Sequence, residues 1–147
     1  MDTTSKVAIM LMLSLLMFNV IKGALHTGIV NRACNIGSYS SNDPYANGMA
    51  YILEDMVTVT PSDEDYNYST TSPYTAAAAY GHATCSQALS YSNCGMCMGS
   101  VKSQILAICS NSLGTQVKLE HCRMRYENYS FNGYVVWHQI ERTLFEW

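Results

Sequence analysis

Six cysteines constrain this chain more than any other feature: Cys34, Cys85, Cys94, Cys97, Cys109 and Cys122. All six follow a hydrophobic leader, and three of them form the pattern C-x8-C-x2-C in CSQALSYSNCGMC at 85–97. A small exported domain buries too little apolar surface to rely on its core alone, so an even cysteine count reads as a disulfide framework. Two rival roles for Cys94 and Cys97 find little support. A redox pair belongs in a thioredoxin-like βαβ context, which the sequence lacks. A zinc site typically needs two close pairs, and there is no second C-x2-C. Spacing alone does not choose among the pairings that six cysteines allow.

The leader has the layout of a signal peptide. Lys6 ends a short polar start, and Val7 to Val20 (VAIMLMLSLLMFNV) is apolar except for Ser14 and Asn19. The small residue Gly23 precedes the expected cut. The apolar run has 14 residues, whereas a spanning helix needs about 20. The expected organisation is therefore a signal peptide at 1–23, a single cysteine-rich domain at 24–131 and a tail at 132–147, giving a secreted product with no membrane span.

Charge narrows the partners. Without Lys6, Lys22 and Asp2, the mature chain keeps 6 basic and 10 acidic residues, a net charge of −4. So few cations argue against binding nucleic acid or an anionic membrane. Asp63-Glu64-Asp65 lacks the spaced oxygens and the glycine of a calcium loop and reads as a solvated turn. No metal and no cofactor is expected. Asn67-Tyr68-Ser69 and Asn128-Tyr129-Ser130 are N-glycosylation sequons.

Periodicity gives the elements. Leu25 to Arg32 alternates weakly, as an edge strand does. Asp43-Pro44 supplies an N-cap and a first helical position. Tyr45, Met49, Ile52, Leu53, Met56 and Val57 recur at helical spacing over 44–58, with Gly48 as a weak spot. A short strand is expected near Tyr66–Tyr68 and another over 79–85. Ser92 is the expected N-cap of a second helix over about 93–111, with Cys94, Cys97, Met98, Val101, Ile105, Ile108 and Cys109 on one broad face. Asn111 and Gly114 give its stop. Alternation at Thr115–Leu119 and Arg123–Tyr126 predicts two more strands. The sum is an α+β domain of two helices and four or five short strands.

These residues carry a resemblance. YGHATCSQALSYSNCGMC, AICSNSLG, VKLEHCRMRYENYSF and the early Ala33-Cys34-Asn35 closely resemble the ginkbilobin-like antifungal domain, a plant cysteine-rich secretory domain defined by C-x8-C-x2-C. The likeness runs from about Ala24 through Phe131. It implies an α+β fold of two helices packed on a roughly five-stranded antiparallel sheet, with bridges Cys34–Cys109, Cys85–Cys94 and Cys97–Cys122. It also implies a non-catalytic, mannose-binding lectin with antifungal and antimicrobial action, whose partner is mannose or mannan of the fungal cell wall.

The family's sugar site implies roles for Asn35, Glu127 and the position of Gln116, where the family has arginine. Sugar hydroxyls both donate and accept, so a carboxylate, an amide and a donor fork can share one ring. Gln116 keeps the hydrogen bonds but loses the charge and the fork, at a cost of roughly 1 kcal/mol. Lys118 and Arg125 are the neighbouring cations that could substitute. In the blander reading Asn35 forms a turn beside Cys34, and Glu127 is solvated or partners Arg125.

The tail NGYVVWHQIERTLFEW, with Trp137, Phe145 and Trp147, continues past the family's end. The alternative to a lectin is an apoplastic protein-interaction module that has lost sugar binding, as Gln116 would suggest. His26, His82, His121 and His138 are scattered, and the sequence gives no case for an enzyme.

Overall fold

The computed structural model of the chain describes residues 5–7, 9–10 and 25–132. Most of the expected leader, and the tail from 133 onward, lie outside the described residues. Among the described residues, no helix is long and apolar enough to cross a membrane.

Five strands form one antiparallel sheet: β1 (Ile29–Cys34), β2 (Asn67–Thr71), β3 (Tyr80–Cys85), β4 (Thr115–Leu119) and β5 (Cys122–Glu127), in the order β1-β4-β5-β3-β2. Helices α1 (Pro44–Val59) and α2 (Tyr91–Ile108) pack on one face. The core lies between them. Ile52, Leu53 and Met56 of α1 and Cys97, Met98, Val101 and Ile105 of α2 meet Ala83, Val117, Leu119, Met124 and Tyr126 of the sheet.

The helices start as side-chain chemistry dictates. Asp43 Oδ1 accepts from the Tyr45 amide at 2.9 Å, with Pro44 at the first helical position. The second N-cap is Ser90 rather than Ser92: Ser90 Oγ accepts from the Asn93 amide at 3.2 Å, and α2 begins at Tyr91. A serine bonded three residues ahead captures an otherwise unpaired helical amide; Ser92 lies inside the first turn.

Gly48 keeps the low helix propensity of glycine but has a packing role. A Cβ there would stand 3.0 Å from Ser72 Oγ and 3.2 Å from the Ala77 carbonyl, so the glycine lets the β2–β3 connection close against α1. The strand expected near Tyr66–Tyr68 is Asn67–Thr71 and forms the edge opposite β1. In β4, Thr115, Val117 and Leu119 are buried and Lys118 is exposed, and the expected alternation is broken only at Gln116, which is buried on the outward face. Asp63 Oδ1 accepts from the amides of Asp65 and Asn67, so the acidic run is a turn.

Disulfides join Cys34 to Cys109, Cys85 to Cys94 and Cys97 to Cys122. The first fastens edge strand β1 to the end of α2 and the third fastens α2 to β5. They span sequence separations of 75 and 25 residues, so they restrict the unfolded chain more than the local bridge of 9.

Candidate functional site

The ends of β1, β4 and β5 meet the 109–114 turn around a cavity of about 180 Å³. Water occupies about 30 Å³ per molecule in the liquid, so the space equals that of several waters and admits a small polar ligand. Asn35, Gln116 and Glu127, far apart in sequence, all line it, and Arg125 lines it with them.

The turn that forms one wall is heavily tied. The Cys34–Cys109 bridge brings the end of β1 to the end of α2. The Asn35 amide donates to the Gly114 carbonyl at 2.8 Å, and the Leu113 amide donates to the Gly37 carbonyl at 2.9 Å. Asn111 reverses the chain at φ 60°, a conformation asparagine tolerates better than most residues. Two buried phenols hold the turn's carbonyls. Tyr45 donates to Leu113 O at 2.7 Å and Tyr126 to Ser112 O at 2.9 Å. Burial pushes both phenols well above the usual tyrosine range, so they remain protonated donors.

Asn35 spends its side-chain oxygen locally: Oδ1 accepts from the Gly37 amide at 2.8 Å. This is the turn role anticipated for it. The NH2 group is what the amide can still offer a ligand.

Glu127 is 8% exposed. Burial pushes its carboxyl above the usual range, and Arg125 opposes that shift. Arg125 donates to Oε1 through Nε at 3.0 Å and Nη2 at 2.9 Å. The other oxygen lies against Gly114, where an added Cβ would fall 2.0 Å from Oε2 and 2.8 Å from the carboxyl carbon. α2 ends at Ile108 with Cys109 as its C-cap, short of the expected 111, so Gly114 is not the helix stop. It leaves the space in which the carboxylate sits.

Arg125 stands directly opposite Gln116 in the β4–β5 ladder. Its guanidinium lies 4.1 Å from the Phe131 ring centroid, and its Nη2 donates to the Tyr129 hydroxyl at 3.3 Å. The side chain is therefore fixed on several sides, which lowers the entropic cost of presenting it to a ligand. Lys118 lies one outward-facing position along β4, opposite Arg123, away from the cavity. Of the two cations that sequence reasoning named, the structure brings Arg125 into the site.

The helix-free face continues into β3. His82 stands opposite Arg125 and is buried, with Nε2 2.7 Å from Asn67 Oδ1. Burial, then the charges of Arg123 and Arg125, lower its pKa to about 4. At neutral pH the ring is neutral, and Nε2–H donates to the Asn67 oxygen.

Comparison with known proteins agrees with this architecture. Residues 33–129 match the salt stress response/antifungal family. The chain is 34% identical over 113 residues to antifungal protein ginkbilobin-2 of Ginkgo biloba, covering 76% of this chain and 84% of that protein. It is 36% identical over 109 residues to a ginkbilobin-like antifungal protein of Picea abies, covering 74% of this chain and all of the relative. Among solved structures, the tandem DUF26 ectodomain of the Arabidopsis thaliana cysteine-rich receptor-like protein PDLP5 superposes with a TM-score of 0.66 at 27% identity. That match covers 72% of this chain and 52% of the ectodomain, so the chain spans about half of it. With the cysteine framework, the five-stranded sheet and these likenesses in agreement, the chain belongs to the salt stress response/antifungal family.

Proposed function

We propose that this chain is a secreted plant defence protein that binds mannose-containing glycans of fungal cell walls through the β1–β4–β5 cavity, without catalysis. The observation that carries this reading is the convergence of Asn35, Gln116, Arg125 and Glu127 on one cavity of about 180 Å³. Oε2 of Glu127 accepts from a sugar hydroxyl, the Asn35 NH2 group donates, and the Gln116 amide donates and accepts around the ring. Arg125 fixes the carboxylate from Oε1 and supplies the positive charge that Gln116 lacks. Glu127 is the one carboxylate lining the cavity among the described residues, whereas glycoside hydrolysis uses a pair.

The names of the relatives support the setting. Relatives in Ginkgo and Picea, of which the chain covers 84% and 100%, are named antifungal. A second reading also has an observation behind it: the chain is 26% identical to plasmodesmata-located protein 5 of Arabidopsis thaliana, over 44% of that protein. In that reading the domain is an apoplastic protein-interaction module whose sugar site has decayed at Gln116. Titration of the oxidised 24–147 chain with mannose and mannan separates the two. Saturable binding lost in Glu127→Ala supports the lectin, and no binding at millimolar sugar supports the module.

A further inference from the structure

We propose that Asn128 is an N-glycosylation acceptor and that its glycan covers the cavity, so that the modified form of the protein has a closed sugar site. The inference rests on the secretory reading of the leader and deepens the sugar-binding proposal by giving that site a covalent control.

Three observations place the modification at the cavity. The sequon Asn128-Tyr129-Ser130 begins at the residue after Glu127. Its three residues are exposed and follow the last ladder pair, Tyr80 with Glu127, so Asn128 is outside the sheet's register. Its middle residue, Tyr129, lines the cavity and accepts a hydrogen bond from Arg125. Consecutive Cα atoms are about 3.8 Å apart. Asn128 itself does not line the cavity, so closure rests on the reach of a branched glycan rooted between two lining residues, Glu127 and Tyr129, and far larger than a 180 Å³ cavity.

The chemistry is that of any sequon in the secretory pathway. The co-reactant is an oligosaccharide joined through its anomeric carbon to a lipid diphosphate. Asn128 Nδ2 forms a bond to that carbon, the bond from the carbon to the diphosphate oxygen breaks, and the lipid diphosphate leaves. Nδ2 gives up one proton. The transfer involves no redox change.

The second sequon is a built-in control. Asn67 lies on edge strand β2, opposite Thr84, which in turn lies opposite Arg123. Two strand spacings of about 4.8 Å and four residues at about 3.3 Å put it about 16 Å from Glu127. Its Oδ1 accepts from His82, and an amide linked through Nδ2 keeps that oxygen as an acceptor. A glycan at Asn67 leaves the cavity open.

The test uses the full chain secreted from a eukaryotic host, beside Asn128→Gln, Ser130→Ala and Asn67→Gln. Peptide mass spectrometry reads occupancy. Tetranitromethane nitration of Tyr129 reads access to the cavity, and mannan-coated surfaces read binding. The expected result is a glycan on Asn128, nitration of Tyr129 at least fivefold faster in both Asn128→Gln and Ser130→Ala, and at least tenfold tighter mannan binding in those two. Asn67→Gln should match the parent. An unmodified Asn128 in the secreted protein, or equal nitration of parent and Asn128→Gln, overturns the proposal. If nitration differs but no form binds mannan, the occlusion stands and the sugar reading fails.

Discussion

Arg125 lies directly across the β4–β5 ladder from Gln116 and donates two N–H groups to Oε1 of Glu127, at 2.9 and 3.0 Å. Arg125 thus places a positive charge beside Gln116, the position where the resemblance implies arginine. Charged hydrogen bonds are worth about 1.5–3 kcal/mol, so Arg125→Gln should weaken mannan binding by roughly 10- to 100-fold. Lys in its place keeps the charge but not the fork, and should fall between the two. Calorimetric titration checks both, with circular dichroism to confirm the fold.

Gly114 sets the position of the carboxylate. Gly114→Ala puts a Cβ 2.0 Å from where Oε2 now sits. Glu127 must then move or the turn must open, so sugar binding should be lost. Overpacking of this kind costs about 1–3 kcal/mol, readable as a lower denaturation midpoint.

The two titrating groups of this face predict opposite pH slopes. His82 has a lowered pKa of about 4, chiefly from burial. Its stabilising effect is therefore fully present above its unfolded value of about 6.5 and is lost as pH falls towards 4. His82→Gln should flatten the fall in midpoint across that window. Glu127 is raised, again chiefly by burial. Its contribution to stability is present below an unfolded value of about 4.3 and is lost as pH rises through its folded value. Sugar binding should correspondingly weaken on acidification at a pH above the ordinary glutamate range. Chemical denaturation and mannan titration from pH 7 to pH 4 test both signs.

The Cys34–Cys109 bridge holds the wall of the cavity as well as the chain ends. Removing a native disulfide from a small secreted domain costs about 2–5 kcal/mol. Cys34→Ser with Cys109→Ser should lose hydrogen-exchange protection first at Asn35 and Leu113, whose amides are bonded across the junction. Amides of β3 and β5 should keep theirs longer.

Much of this was legible because the signals are local. Asp43-Pro44 announces α1, and the spacing from Tyr45 to Met56 fixes its buried face. The cysteine pattern and the Tyr-Glu ending identify the family and, through it, the pairing; Asn35, Gln116 and Glu127, named through the same resemblance, line one cavity. Ser92 was an attractive cap because it is followed by the first periodic residues, but serine capping depends on which amide lies three residues on, and Ser90 wins that geometry. Gly48 looks like a weak point and Gly114 like a helix stop in one dimension, and only packing shows that both make room for a neighbour. Arg125 illustrates the deeper limit. Gln116 and Arg125 are adjacent only through strand register, and a strand reveals the direction of its side chains only once its ladder is known.

The most direct test of the sugar site is calorimetric titration of the oxidised 24–147 chain with mannan, in parallel with Glu127→Ala and Arg125→Gln. The account predicts saturable binding by the parent chain, none by Glu127→Ala, and a 10- to 100-fold loss in Arg125→Gln. Equal binding by all three, with the fold intact, would contradict it.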